Sequence, residues 1–154
     1  MPIQEGTAVP NDEVLTDAGE SFRLSDLHGK NVVLYFYPKA DTPGCTTEAC
    51  EFRDYSEKFG KIDTVIVGVS PDTPKAQAKF KTKYGLPFTL LADVDHKLAD
   101  AFGVWGEKSM YGKKYMGVAR TTFLIGKDGK IAKVLAKVKP AGHAEQVLEA
   151  LESL

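Results

Sequence analysis

The sequence predicts an α/β domain: a mixed central sheet with helices on both faces and an N-terminal hairpin extension. Three observations carry that prediction. Two apolar, β-branched runs, Asn31 to Tyr37 (NVVLYFY) and Asp63 to Val69 (DTVIVGV), read as strands buried on both faces, with a helical pattern between them. Further on, Lys127-Asp128-Gly129-Lys130 separates two more apolar runs, and its Asp-Gly pair marks a tight antiparallel turn. With 154 residues, 43% of them hydrophobic, the chain has the size of one globular domain that buries its core without cross-links.

Taken in order, Val14 to Thr16 and Ser21 to Leu24 flank Asp17-Ala18-Gly19-Glu20 and read as a small hairpin attached to the main sheet. The first buried strand stops at Pro38. After it, Ala49, Phe52 and Phe59 recur at helical spacing, with Gly60 as the expected stop. A second helix is predicted over Thr73 to Tyr84, with Pro74 in its first turn, Ala76, Phe80 and Tyr84 on one face and Gly85 beyond its end. Thr89 to Ala92 reads as a short strand and Lys97 to Phe102 as a short helix. Gly103 to Val118, which carries Trp105, Met110, Tyr111, Tyr115 and Met116, reads as a long connection, either a flap that sets substrate preference or a cover for the sheet edge. Thr121 to Ile125 and Ile131 to Val138 form the hairpin around the Asp-Gly turn. Ala144 to Leu154 closes the chain as an amphipathic helix carrying Val147, Leu148, Leu151 and Leu154. The strand, helix, strand unit requires a parallel pair with a right-handed crossover.

The charges are balanced: 20 basic and 21 acidic residues, well mixed, give a net −1, so no strong field favours nucleic acid or anionic lipid. The first residues, MPIQEGTAVPNDEV, match neither a secretory nor a transit pattern, and no window approaches a membrane span. The expectation is a cytoplasmic protein with neither nucleic-acid nor membrane partners.

Both cysteines lie in YPKADTPGCTTEAC, Tyr37 to Cys50, directly after the first buried strand. In an open α/β sheet that edge is where ligand sites collect. Thr42 suits the N-cap, Pro43 the first helical position, and Gly44 lets a group approach the backbone, so Cys45 falls in the first turn. Free amides and the macrodipole favour a thiolate there. Cys45 shares the apolar stripe of Ala49, Phe52 and Phe59, whereas Cys50 lies towards the polar side. In a regular helix a step of five residues sets the Cα atoms roughly 8.6 Å apart, beyond the roughly 7 Å that a disulfide tolerates. A static disulfide is disfavoured, and forming the bond requires the first turns to unwind. A metal site needs three or four ligands, and His28, His96 and His143 are isolated in sequence; no metal or cofactor is expected, and the three histidines read as surface residues without catalytic duty. A reaction centre and a pair of unreactive thiols remain.

The pattern Pro38-x-x-x-Thr42-x-x-Cys45 resembles the active-site motif of the peroxiredoxins, and Cys50 five residues on is similar to the Q-type, or bacterioferritin-comigratory, subgroup. The likeness extends through the FRD after Cys50, YGLPF, ARTTFLIGKDGKI and KVKPAGHAEQVLEAL. The resemblance implies a single thioredoxin-like domain that reduces hydrogen peroxide and organic hydroperoxides, with thioredoxin, or a glutaredoxin-type protein, returning the electrons. It implies Cys45 as the peroxidatic and Cys50 as the resolving cysteine, Thr42 and Pro38 shaping the pocket, and Arg120 as the active-site arginine. Glu48 corresponds to the residue that helps hold that arginine, or is an exposed helix acid, and Gly44 supports the turn. Because Gly44, Thr46 and Thr47 are weak helix formers, local unwinding at that end is inexpensive. The subgroup is often monomeric. Rival readings are a thioredoxin-like disulfide oxidoreductase and a non-enzymatic redox sensor. Against the first, four residues rather than two separate the cysteines.

Overall fold

A computed structural model describes residues 2–136 and 138–153, with Met110 described in its backbone alone. Leu154, expected on the last helix, and Lys137, expected in the last strand, lie outside the described residues. The elements run β1 (Val14–Thr16), β2 (Ser21–Phe22), a 3-10 turn (Leu24–Leu27), β3 (Asn31–Phe36), α1 (Pro43–Lys61), β4 (Thr64–Ser70), α2 (Pro74–Tyr84) and β5 (Thr89–Ala92). They continue with α3 (Lys97–Ala101), β6 (Trp105–Met110), β7 (Lys113–Val118), β8 (Thr121–Ile125), β9 (Ile131–Leu135) and α4 (His143–Glu152).

Seven strands form one mixed sheet in the order β2-β1-β5-β4-β3-β8-β9. β3, β4 and β5 are parallel, joined through α1 and α2. The front hairpin attaches as expected, with β1 antiparallel to β5. β8 runs antiparallel to β3, pairing Val32 with Ile125 at one end and Phe36 with Thr121 at the other. This register decides where the site forms, because it sets Arg120, one residue before Thr121, beside the end of β3.

The two-residue period of β3 divides the core. Val33, Tyr35 and Tyr37 point to the face covered by α1, α2 and α4, against Ala49, Phe52, Phe59, Phe80 and Val147. Val32, Leu34 and Phe36 point to the opposite face, against Leu98 and Phe102 from the α3 region. Helices thus cover both faces. Arg53 donates to the Tyr84 carbonyl at 2.7 Å and ties the middle of α1 to the end of α2.

Several expectations need correction. α1 runs through Gly60 to Lys61, because Phe59 is fully buried and packing outweighs glycine's weak helix preference. The segment from Gly103 to Val118 is not a structureless connection: Trp105–Met110 and Lys113–Val118 pair as a separate antiparallel hairpin. Its turn places Tyr111 and Gly112 at φ 53° and 78°, the geometry of a two-residue hairpin turn. Tyr111 is 97% exposed, and Tyr115 and Met116 are also exposed, so these side chains do not bury against the main sheet. The Asp128-Gly129 turn closes as expected, with Gly129 at φ 77°. β9 ends at Leu135, short of Val138.

Candidate active site

The residues of the site converge at the end of β3. The chain leaves the sheet at Tyr37, whose amide still donates to the Val69 carbonyl at 2.9 Å, and turns through Pro38 to Thr42 into α1. Several bonds hold this loop. The Ala40 amide donates to Asp72 at 2.7 Å, and Ser70 bonds the same carboxylate oxygen at 2.6 Å. Asp41 takes a left-handed backbone, φ 58°, and accepts from Lys83 at 2.9 Å and Tyr84 at 2.8 Å. Aspartate tolerates that conformation better than most residues, and it leaves Thr42 extended at the N-cap.

Thr42 is at the N-cap position but does not cap the helix with its side chain. Its hydroxyl donates to the Lys39 carbonyl at 2.9 Å, which engages its proton and leaves its oxygen to act as an acceptor. Pro43 has no amide, and the first bond of the helix runs from Thr46 N to Thr42 O at 2.8 Å. The amides of Gly44 and Cys45 precede that bond and remain available as donors.

Cys45 is 1% exposed and lies in the α1 stripe with Ala49 and Phe52, whereas Cys50 is half-buried; both are free thiols. The unequal placement agrees with the sequence reading. Arg120 joins the parts. One guanidinium nitrogen donates to Cys45 Sγ at 3.1 Å and the other donates to Glu48 Oε1 at 2.7 Å. The planar fork holds two acceptors at fixed angles, which a lysine cannot do.

Glu48 is fully buried, which settles the alternative left open in the sequence: it is no exposed helix acid. Burial pushes its carboxyl up to about 7, against the pull of the Arg120 guanidinium. Its second oxygen, Oε2, and Tyr35 Oη are the buried side-chain polar atoms without a partner among the described residues. Glu48 Oε2 is thus free to carry a proton.

His143, expected on the surface, is 1% exposed. Its Nε2 bonds the Thr122 hydroxyl at 2.7 Å, its Nδ1 meets Gln146 Oε1 at 3.1 Å, and its ring stacks edge-on against Phe52 at 5.7 Å. The residue heads α4, which docks on α1, so packing between helices buries it. Burial holds its pKa below the usual imidazole value. His28 is exposed, and His96 stacks on Trp105 at 4.0 Å.

Sequence reasoning assigned no role to two further residues. Pro140 stands over the first turn of α1, its Cγ 3.3 Å from where a Gly44 side chain would begin, and Glu51 accepts the Gly142 amide at 2.8 Å. The run KPAG signals a turn, but nothing in it states which helix the turn lies against.

Residues 6–134 match the AhpC/TSA family. The chain belongs to that family. It is 52% identical over 154 residues to peroxiredoxin Bcp of Bacillus subtilis, covering 100% of this chain and 98% of that one. Among solved structures, a cysteine-to-serine variant of PrxQ from Xylella fastidiosa superposes with a TM-score of 0.94 at 37% identity, covering 99% of this chain and 98% of the other. The bacterioferritin comigratory protein of Xanthomonas campestris, whose structures bear on its alkyl peroxide reduction activity, gives a TM-score of 0.88 at 38% identity, covering 96% and 98%. The peroxiredoxin resemblance read from the motif and the thioredoxin-like fold both stand. No described helix is long and apolar enough to cross a membrane.

Proposed function

We propose that the chain is a thiol peroxidase whose cycle uses Cys45 as the attacking sulfur and Cys50 as the resolving one, with thioredoxin, or a glutaredoxin-type protein, as reductant. The carrying observation is the Arg120 fork, which bonds the sulfur of a cysteine in the first turn of a helix while a buried carboxylate holds its other nitrogen. That is a site arranged for charge spread over a sulfur and the atom it attacks.

In the first step the Cys45 thiolate attacks one oxygen of the hydroperoxide. The S–O bond forms, the O–O bond breaks, and the leaving alkoxide or hydroxide takes up a proton. Negative charge passes along this line, and Arg120 with the Cys45 amide provides donors for it. Thr42, its own proton engaged by the Lys39 carbonyl, accepts the O–H of the hydroperoxide. Pro38 closes the pocket with apolar surface, and Gly44 admits the substrate to the backbone. In the second step the Cys50 thiolate attacks the Cys45 sulfenic sulfur, hydroxide leaves and is protonated to water, and a Cys45–Cys50 disulfide remains. A dithiol reductant then restores both thiols.

Two free cysteines suit a reducing cytoplasm. The five exposed large apolar side chains among the described residues, Leu15, Val94, Tyr111, Tyr115 and Met116, are few for a stable protein interface, which favours a monomer. The deciding test couples hydroperoxide reduction to thioredoxin, thioredoxin reductase and NADPH, with a glutaredoxin arm beside it. Sustained NADPH consumption, lost in Cys45→Ser and reduced to one turnover in Cys50→Ser, is expected. Insulin reduction without peroxide points to the disulfide oxidoreductase instead, and a single stoichiometric oxidation of wild type points to the sensor.

A further inference from the structure

The segment between β9 and α4 is fastened to the part of α1 that has to open. Pro140 Cγ covers Gly44 in the first turn, with 3.3 Å to the position of a Gly44 Cβ. Two turns further along, Glu51, the residue after Cys50, accepts the amide of Gly142 at 2.8 Å. Gly142 is the N-cap residue of α4, a helix of ten residues, so the Glu51 carboxylate also lies at the positive end of that helix dipole. The Val138 amide lies 3.4 Å from the Arg120 carbonyl, which anchors the same segment to the sheet. Cys45 and Cys50 thus sit between two clamps, one on each side of the stretch that unwinds. Beyond them, Arg53 is fixed to Tyr84, which gives the helix a firm end on the other side of Cys50.

Within the peroxidase cycle proposed above, we propose that Glu51 acts as a positioning residue: through the Gly142 amide it latches the β9–α4 segment to α1 and so sets the rate of the resolving step, not of peroxide attack. Cys50 reaches Cys45 only after residues 43–50 leave the helix, and moving Cys50 displaces Glu51 with it. The latch has to part before the sulfurs meet. While it holds, the sulfenic acid stays in the pocket, open to a second hydroperoxide. That second reaction transfers another oxygen to sulfur, releases an alcohol or water and ends at the sulfinic acid. The Glu51 contact therefore sets the balance between disulfide formation and over-oxidation.

The test uses the reduced full chain mixed with one equivalent of hydrogen peroxide, quenched at intervals and read by intact mass. Gain of one oxygen reports attack by Cys45, and loss of two hydrogens reports the disulfide. A charge-assisted hydrogen bond is lost in Glu51→Ala, so the disulfide is expected to form about tenfold faster, with the rate of oxygen gain unchanged. The peroxide excess needed to convert half the protein to the sulfinic acid rises by a similar factor. Glu51→Gln keeps an oxygen acceptor without the charge and is expected to accelerate resolution about threefold. Pro140→Ala removes the other clamp and also accelerates it. Ile62→Ala, which loosens α1 at its far end, leaves the resolving rate unaltered. Resolution at the wild-type rate or slower in Glu51→Ala and Glu51→Gln overturns the latch, as does equal acceleration by Ile62→Ala. Wild type that gains neither oxygen nor disulfide removes the peroxidase reading itself.

Discussion

Glu48 links the site to pH. Its carboxyl is fully buried, its ordinary pKa of 4.5 is raised to about 7, and its neutralising partner among the described residues is Arg120 at 2.7 Å. The folded protein therefore binds this proton more tightly than the unfolded chain does. Stability from the protonated carboxyl is fully present below about 4.5 and is lost as pH rises through about 7. The displacement, about 7 against 4.5, multiplied by about 1.4 kcal/mol for each tenfold change in proton affinity, gives about 3.5 kcal/mol as the upper bound. Glu48→Gln removes the titration but keeps an oxygen for Arg120. Unfolding by denaturant at several pH values between about 4 and 8 should show wild type losing stability relative to Glu48→Gln as pH rises, by up to about 3.5 kcal/mol in total. Titrations shared by both proteins cancel in the difference. A difference that is flat across this range, or that grows in favour of wild type, would refute the desolvation argument and mean that the pair with Arg120 dominates.

Three further outcomes follow from the geometry. Arg120→Lys keeps the charge but loses the fork between Sγ and Glu48, and should lower kcat/KM for hydroperoxide about a hundredfold with an unchanged circular dichroism spectrum; retention of wild-type activity would show that charge alone suffices. Gly44→Ala would place a methyl 3.3 Å from Pro140 and 3.4 Å from Arg120 Nη2, so oxidation of Cys45 should slow about tenfold and recover in part when Pro140→Ala is added, as stopped-flow traces would show. His143 is held by burial below its ordinary 6.5, which means wild type gives up stability as pH falls below that value; His143→Asn should lack this acid-side loss while being less stable by about 2 kcal/mol at neutral pH, measured by the same unfolding series.

Period and punctuation made much of this protein legible without coordinates. The runs of β3 and β4 are apolar on both faces because both faces are covered, and Asp128-Gly129 carries the backbone freedom its turn demands. The local order Thr42, Pro43, Gly44, Cys45 after a strand favours a helix start, and α1 begins at Pro43. The inequality of the two cysteines is likewise a property of helical pitch, and the structure places one buried and one half-buried. The β6–β7 hairpin escaped because its strands are polar and glycine-containing, with an exposed face that lacks the apolar alternation by which strands are read.

What the chain alone determined, then, was every element but the β6–β7 hairpin, together with a cysteine at the start of one helix, since these depend on residues close in sequence. The tertiary structure alone decided which distant groups meet that sulfur. Only the β3–β8 register brings Arg120, 75 positions away, to 3.1 Å from Cys45, and only the docking of α4 on α1 buries His143 and brings Gly142 to Glu51. Contacts of that kind are fixed by how whole elements pack, and a single side chain carries no mark of the partner that packing will give it.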